Sequence, residues 1–192
     1  LGAQQGLGLF DGRLKRFRDA AIEEAQSLLG AEVLLGFADA HQFDEIAQRA
    51  LQVMRGTDLV TPRQVALAKD LSDADRRVFA QAQVDLLHGE EPLEARLDKY
   101  VLSLGPRDCS WPLATVTLAL VHPKEQVCVR PTAFRNQAHW MQPGLTYEPR
   151  PTGMRYLAWR GLAQRVEKRL LAAGLQPRDL VDVYDFIRIT AK

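Results

Sequence analysis

Apolar residues recur at three- and four-residue steps through most of the chain, the spacing that is typical of amphipathic helices. The clearest case runs from Arg13 to Leu29, and a glycine follows it as a stop signal. The same spacing predicts helices at about 39–54, 73–88 and 93–104. Threonine, proline and glutamine at positions 61, 62 and 64 match a capping box, so a short helix is predicted to begin there. The first half of the chain is therefore predicted to be helical.

The stretch 111–135 differs, because a continuous apolar run, a turn and a second β-branched run follow one another there. Residues 114–121 are rich in threonine, valine and leucine, a composition that suits a largely buried strand. A turn at His122 ends this strand, since proline follows it. Val127–Val129 is predicted to pair back as a second short strand. A helix capped by Thr132 is then predicted to continue to Met141.

These elements predict an α+β fold that is mainly helical, with a small antiparallel sheet at about residues 114–131 in the second half. A long helix is predicted around 156–170, and 181–190 is compatible with either a third strand or a last helical turn. Residues 1–12 hold four glycines and two glutamines without a sustained period, and they are predicted to be a flexible arm. Residues 13–192 are predicted to form a single domain.

Composition is ordinary for a globular protein, with 46% hydrophobic and 26% charged residues in a chain of 192. The net charge of +1 excludes a molecule that is acidic or basic as a whole. Two cysteines, Cys109 and Cys128, are too few for a disulfide framework, so reduced thiols and a cytoplasmic location are expected. No apolar run approaches the ~20 residues of a membrane span, so no membrane partner is expected. Because the chain begins at Leu1 rather than at methionine, further residues are expected before it.

Five short sequence blocks follow one another along the chain. They are G-E-E-P-L-E from Gly89, W-P-L-A-T from Trp111, R-P-T from Arg130, Y-E-P-R-P from Tyr147 and D-V-Y-D-F-I from Asp182. In this order they resemble a family of uncharacterised bacterial proteins whose members carry W-P-x-A-T, K-P-T and D-V-x-x-F-I blocks. The resemblance covers roughly residues 39–190 and implies a shared fold. It implies no activity.

A second resemblance concerns residues 122–134, which are similar to a P-F-Y-K-P-T-A-F segment found upstream of the ATPase module in McrB-like restriction proteins. Arg130 stands where that segment has lysine, and Cys128 stands where it has an aromatic residue. The resemblance implies a setting in DNA defence. The chain carries no G-x-x-x-x-G-K-[ST] phosphate loop, so the ATPase itself is not expected in it.

No residue spacing in the chain is diagnostic of catalysis. The histidines at 41, 88, 122 and 139 form no metal-binding pair, and neither cysteine has a histidine beside it, so no cofactor or metal is expected. Asp108, Lys124 and Glu125 flank the predicted strands and leave open a small metal-dependent, nuclease-like hydrolase. A structural subunit that binds another protein is a further alternative.

Charge asymmetry is the feature that points most directly to a function. Residues 70–98 hold eight acids and three arginines, a net charge of −5, whereas residues 123–170 hold nine Lys/Arg and three Glu, a net charge of +6. Aromatic residues are interleaved with these arginines, and this composition suits phosphate pairing and base stacking on single-stranded nucleic acid. The leading prediction is a non-catalytic binding module for DNA or RNA, in a defence or repair complex that includes a protein partner. The predicted contacts are Arg130, Arg135, Trp140, Tyr147, Arg150 and Arg155.

The same composition has a purely structural explanation. The aromatic residues can be the buried stripe of two helices, while the arginines form the solvated faces of those helices and pair with the acidic first half. The two explanations differ in one observable respect, which is whether the arginines and aromatic rings meet on one exposed surface.

Overall fold

The computed structural model describes residues 13–105 and 109–190, with side chains from Arg18 onward. The arm predicted at 1–12 and the candidate Asp108 lie outside the described residues. Within the described ranges the chain forms helices and no strand. The helices are α1 (Arg13–Leu29), α2 (Ala31–Asp39), α3 (Phe43–Arg55), α4 (Pro62–Lys69), α5 (Asp73–His88), α6 (Leu93–Ser103), α7 (Trp111–Val121), α8 (Pro131–Met141), α9 (Gly153–Ala172) and α10 (Leu180–Thr190).

The predicted α+β fold with an antiparallel sheet is wrong, because residues 114–121 are helical and lie within α7. Every residue of α7 is buried, and α1, α3, α5, α6 and α10 pack around it. A helix that is enclosed on every side needs no polar face, so its sequence is a continuous apolar run. Such a run cannot be distinguished from a buried strand by its periodicity alone.

Local signals within α7 nevertheless favour a helix. Pro112 lies in the first turn, where backbone N–H groups have no partner within the helix, so the N–H that proline lacks is not needed there. The Thr115 hydroxyl donates to the Trp111 carbonyl four residues earlier, at 2.7 Å. The Gln83 side-chain amide donates to the Thr117 hydroxyl at 3.2 Å, so both threonines have partners inside the core. The β-branched residues of this run therefore reflect close packing and not strand geometry.

The predicted second strand, Val127–Val129, is an extended segment that pairs with no strand in the described part of the chain. Side-chain hydroxyls take the place of a strand partner. The Val127 N–H donates to the Tyr156 hydroxyl at 3.1 Å, and the Val129 N–H donates to the Thr115 hydroxyl at 3.0 Å. The segment is thus fixed between α7 and α9, with its buried backbone donors satisfied.

The first half of the fold follows the sequence pattern closely, with one omission. The capping box before α4 is confirmed, since the Thr61 side chain accepts from the Gln64 N–H and the Gln64 side chain accepts from the Thr61 N–H. Residues 31–39, for which the pattern predicts no separate helix, form α2. A left-handed residue, His41 (φ 56°), then turns the chain, so the next helix begins at Phe43.

In the second half, the ends of two helices differ from the expectation. Arg130 and not Thr132 is the N-cap of α8, and it makes no side-chain cap hydrogen bond. Residues 181–190 belong to α10, so the alternative of a third strand is wrong. The helix predicted around 156–170 is confirmed as α9, which extends from Gly153 to Ala172.

The last three helices form a layer that covers one side of the core. α9 packs against α6 and α10, and α8 packs against α9 and α10. The Phe134 ring meets the Trp159 ring edge to face at 6.0 Å, which joins α8 to α9. Gly153 sits so close to α6 that an added Cβ would lie 2.0 Å from the Glu94 carbonyl oxygen. Within the described ranges, no helix has both the length and the apolar character needed to cross a membrane.

Candidate functional site

Two of the six predicted contact residues, Arg135 in α8 and Tyr147 in the loop that follows, are in contact, and a third, Trp140, lies nearby at the end of α8. The Arg135 guanidinium lies over the Tyr147 ring, 5.5 Å from the ring centroid. His139 follows Arg135 by one helical turn, and its ring meets the Trp140 ring edge-on at 5.5 Å. We call Arg135, His139, Trp140 and Tyr147 the α8 surface.

A pocket of about 390 Å³ opens between α8 and the loop. Arg135, His139 and Tyr147 form its polar and aromatic side, while Pro143 and Leu145 form its apolar side. This volume is at the lower end of the roughly 300–1,000 Å³ that ligand pockets occupy. A cation, an imidazole and a phenol ring therefore line one small concave site.

Trp140 stands out among the three tryptophans because its side chain is open to solvent. The residue is 77% exposed, whereas Trp111 and Trp159 are 1% and 0% exposed. A water-exposed indole leaves a large apolar area unburied, and its flat face is free to stack on a planar ligand. The location of Trp140 beside His139 extends the aromatic lining of the pocket onto the open surface.

The loop of the α8 surface is fixed to the core at several points. The Trp111 indole N–H, at the start of α7, donates to the Glu148 carbonyl at 2.8 Å. The Glu148 carboxylate in turn accepts from the Arg155 guanidinium, with 2.7 Å between Oε1 and Nε. At the other end of the loop, the Arg165 guanidinium donates to the Gln142 side-chain oxygen. The loop therefore presents Tyr147 from a fixed position.

The other three predicted contacts lie elsewhere or are engaged. Arg130 is at the opposite end of α8 from Trp140, about 15 Å from it along the helix axis, and its guanidinium donates to the Asp58 carbonyl at 3.4 Å. Arg155 is held by Glu148. Arg150 is exposed in the loop after Tyr147, and within the described residues it forms no ion pair. The structure thus concentrates the predicted site on Arg135, Trp140 and Tyr147.

Comparison with known proteins adds no constraint to this geometry. The chain matches no known family model, no curated protein and no solved structure. The two resemblances drawn from the sequence blocks stay predictions. The case for the α8 surface therefore depends on its own residues.

A second concentration of charge is buried between α1, α10 and the loop after α3. The Arg18 side chain in α1 is 3% exposed and donates from Nε to Asp185 Oδ2 in α10 at 2.8 Å. Its Nη1 lies 3.0 Å from an Asp58 oxygen in the loop after α3, and its guanidinium covers the Tyr184 ring at 5.3 Å. Burial raises the pKa of Asp185, while the Arg18 and Arg188 charges oppose that rise.

This buried network is best explained as a structural clasp. Its carboxylates and guanidiniums face one another, and together they join α1, α10 and the loop after α3. In the sequence, Arg18 lies on the apolar stripe of α1, three residues before Ala21 and seven before Ala25, so helical spacing marks it as a buried arginine. Because its partners lie 40 and 167 positions away, no local pattern could have identified them.

The residues considered for catalysis do not form a site in the described part of the chain. Lys124 and Glu125 are exposed in the turn after α7, and no group of three or more His, Cys, Asp or Glu side chains in the described ranges is placed to hold a metal ion. Burial raises the pKa of both Cys109 and Cys128 to about 12. At neutral pH both thiols are therefore protonated, which makes them poor nucleophiles.

A helical-wheel argument would have found more of the α8 surface than the charge pattern did. Phe134 and Ala138 are four residues apart and buried, so they mark the core side of α8. Arg135 and His139 are also four apart and lie on the exposed side, which brings His139 into the site although the composition does not select it. The same argument would not have found Trp140, because it lies seven residues after the buried Ala133 and shares its side of the helix.

Proposed function

We propose that the protein is a non-catalytic module that binds single-stranded nucleic acid through the α8 surface. The observation that carries the proposal is the 77% exposed Trp140, which lies next to a pocket that contains Arg135 and Tyr147. An exposed indole stacks on any base, because every base presents a flat aromatic face. A nearby guanidinium pairs with phosphate oxygens.

The charge of the surroundings supports the same ligand. Residues 123–170, which include the whole α8 surface, carry a net charge of +6. Arg165, Lys168 and Arg169 are exposed on α9, and Arg165 contacts the residue that ends α8. Positive charge around a stacking ring draws a polyanion towards it, and this attraction weakens as salt rises.

The proposed setting is a cytoplasmic DNA defence or repair complex with a protein partner. The scarcity of cysteine supports the cytoplasm. The setting itself is supported by the similarity of residues 122–134 to the segment upstream of the ATPase in McrB-like restriction proteins. This part of the proposal is separate from the binding surface and does not affect its test.

The test is fluorescence anisotropy with a labelled single-stranded oligonucleotide of mixed sequence, titrated at several salt concentrations. We expect micromolar binding to the wild-type protein and weaker binding to the corresponding duplex, whose bases are already stacked. Trp140→Ala should weaken binding by about 5- to 150-fold, the range expected for the loss of one base-stacking contact. Arg135→Gln should make the slope of log K against log salt less steep by about 0.7.

Two matched variants control for general effects. Arg63→Gln removes an exposed arginine on α4, and Leu171→Ala removes an exposed apolar side chain on α9. Both should bind like the wild type. The proposal is wrong if no salt-sensitive binding is seen at low salt, or if Trp140→Ala binds as tightly as Leu171→Ala.

A further inference from the structure

The solvent-facing ridge of α5 has an unusual composition for an exposed helix face. Ala74, Arg77, Val78 and Gln81 are exposed along it, and Asp85 is half-buried at its end. Apart from Arg77 and Asp85, these side chains are small, apolar or uncharged. Few of the exposed side chains along this ridge can therefore form strong hydrogen bonds with water.

An apolar groove of about 590 Å³ lies against this ridge. Apolar side chains form most of its lining, which are Phe43 of α3, Val78 and Ala82 of α5, and Leu102 of α6. Lys99 of α6 also lines the groove, and its charge is already paired with Glu91. Val78 is 58% exposed and Leu102 is 63% exposed. Two large apolar side chains line this one groove, so covering it would remove apolar area from water and would be favourable in free energy.

The charges on the ridge are placed symmetrically. Arg77 lies four residues before Gln81 and Asp85 lies four residues after it, so they are about 12 Å apart along the helix. Within the described residues neither forms an ion pair: Arg77 lies over the Phe43 ring at 4.8 Å, and Asp85 accepts from the Gln81 amide at 3.2 Å. Each charge therefore has capacity for an opposite charge from outside.

We infer that α5 packs antiparallel against α5 of a second copy of this chain, around a two-fold axis near Gln81. In an antiparallel pair centred on that residue, Arg77 of each copy faces Asp85 of the other copy, because the two are equally distant from the centre. The pairing forms two equivalent ion pairs and covers Val78 and Leu102 in both copies. A surface that is complementary to itself under a two-fold rotation gives a closed dimer and not an open chain.

Charge complementarity selects this occupant. A foreign helix would need its own matching charges, whereas a second copy supplies them by symmetry. The inference does not depend on nucleic-acid binding, since α5 contributes nothing to the α8 surface.

The dimer is tested by sedimentation equilibrium over protein concentrations from nanomolar to high micromolar. We expect a reversible monomer–dimer equilibrium for the wild type. Val78→Glu and Leu102→Glu should be monomeric at every concentration, while Leu171→Glu, at a residue of α9 that is 52% exposed, should dimerise like the wild type. A wild type that is monomeric throughout, or a Leu171→Glu variant that is as monomeric as Val78→Glu, overturns the inference.

The antiparallel register is tested by charge reversal and by cross-linking. Arg77→Asp alone should weaken dimerisation by about tenfold, because it opposes like charges twice, and the added change Asp85→Arg should restore it. Gln81→Cys should form an intermolecular disulfide on mild oxidation, since the two positions meet at the axis. Gln164→Cys on α9 should not, and the native thiols are buried and do not interfere. If charge reversal at both positions fails to restore dimerisation, or if the two cysteine variants cross-link equally, the register is wrong.

Discussion

The backbone N–H of Val129 donates a 3.0 Å hydrogen bond to the hydroxyl of Thr115. That hydroxyl donates onward to the Trp111 carbonyl within α7. One buried side chain therefore joins the central helix to the extended segment beside it. The bond also explains why a sequence with strand-like composition does not need a sheet: the donor that a strand would pair with its neighbour is satisfied by a helix side chain.

Replacing Thr115 with valine should destabilise the protein by roughly 1–3 kcal/mol, because the isosteric side chain leaves the buried Val129 N–H without an acceptor. Urea unfolding followed by circular dichroism measures the change. Thr115→Ser keeps the hydroxyl and should lose less stability than Thr115→Val. Equal stability of the valine variant and the wild type would show that the Val129 N–H finds another partner.

Two glycines of α9 should respond to alanine in opposite ways. Gly153→Ala should cost about 1–3 kcal/mol or more, since the new Cβ would lie 2.0 Å from the Glu94 carbonyl oxygen of α6. Gly161→Ala should stabilise by roughly 0.5–1 kcal/mol, because its Cβ would meet only the Arg165 guanidinium at 3.5 Å and alanine favours a helix interior. Thermal unfolding of both variants compares them directly. A tolerated Gly153→Ala would mean that α6 and α9 are less closely packed than described.

The buried pair of Arg18 and Asp185 should be far more sensitive than an exposed pair. Asp185→Asn should destabilise by roughly 1–3 kcal/mol, because the Arg18 guanidinium, 3% exposed, loses its closest counter-charge and keeps only Asp58. Lys99→Ala should cost less than about 1 kcal/mol, since Lys99 and Glu91 are both more than half exposed. Chemical denaturation of the two variants gives the comparison. A similar loss for both would contradict the assignment of Arg18 as a clasp.

The stability of the protein should fall as the pH decreases below 6.5, in part because of His88. Burial lowers the pKa of His88 from its ordinary value of 6.5, and the charges of His122 and Arg96 lower it further, although the hydrogen bond to the Leu29 carbonyl opposes them. Above pH 6.5 the imidazole is neutral in both states. Between that value and the folded pKa the unfolded chain binds more protons, so stability decreases until the folded protein is protonated too.

The contribution of His88 is isolated by comparison with His88→Gln. The glutamine amide can still donate to the Leu29 carbonyl, which His88 faces at 2.8 Å, but it does not titrate. Urea midpoints measured between pH 7 and pH 5 should decline less for this variant than for the wild type. Parallel declines would assign the pH dependence to other groups.

Sequence reasoning succeeded for most helices that have one face in water, although it missed α2. The predicted helices near α1, α5 and α6 are confirmed because polar residues interrupt their apolar stripes at helical steps. The pattern fails at α7, where burial on every side removes those interruptions. Length could have decided, since eleven consecutive apolar residues and threonines from Trp111 exceed an average strand.

Only part of the candidate site could be predicted from the sequence, because charge composition does not show which side chains share a surface. Arg135 and Tyr147 are in contact and Trp140 lies near them beside His139, but Arg130 and Arg155 have partners within the fold that no local pattern shows. Among the aromatic rings, Phe134 and Trp159 belong to the core, as the structural explanation of the composition requires. The structural explanation therefore accounts for these two rings, while the nucleic-acid explanation stays a prediction for Arg135, Trp140 and Tyr147.

The enclosed α7 also has a consequence for synthesis in the cell. All eleven residues of α7 are buried, so this helix has no face suited to contact with water. The helix α10, which packs against α7, is the last helix of the described chain to leave the ribosome. Until then the nascent polypeptide exposes apolar surface, which promotes aggregation or binding by chaperones. Premature termination before α10 should thus yield an insoluble fragment, and α7 should be fully enclosed only after α10 has been synthesised.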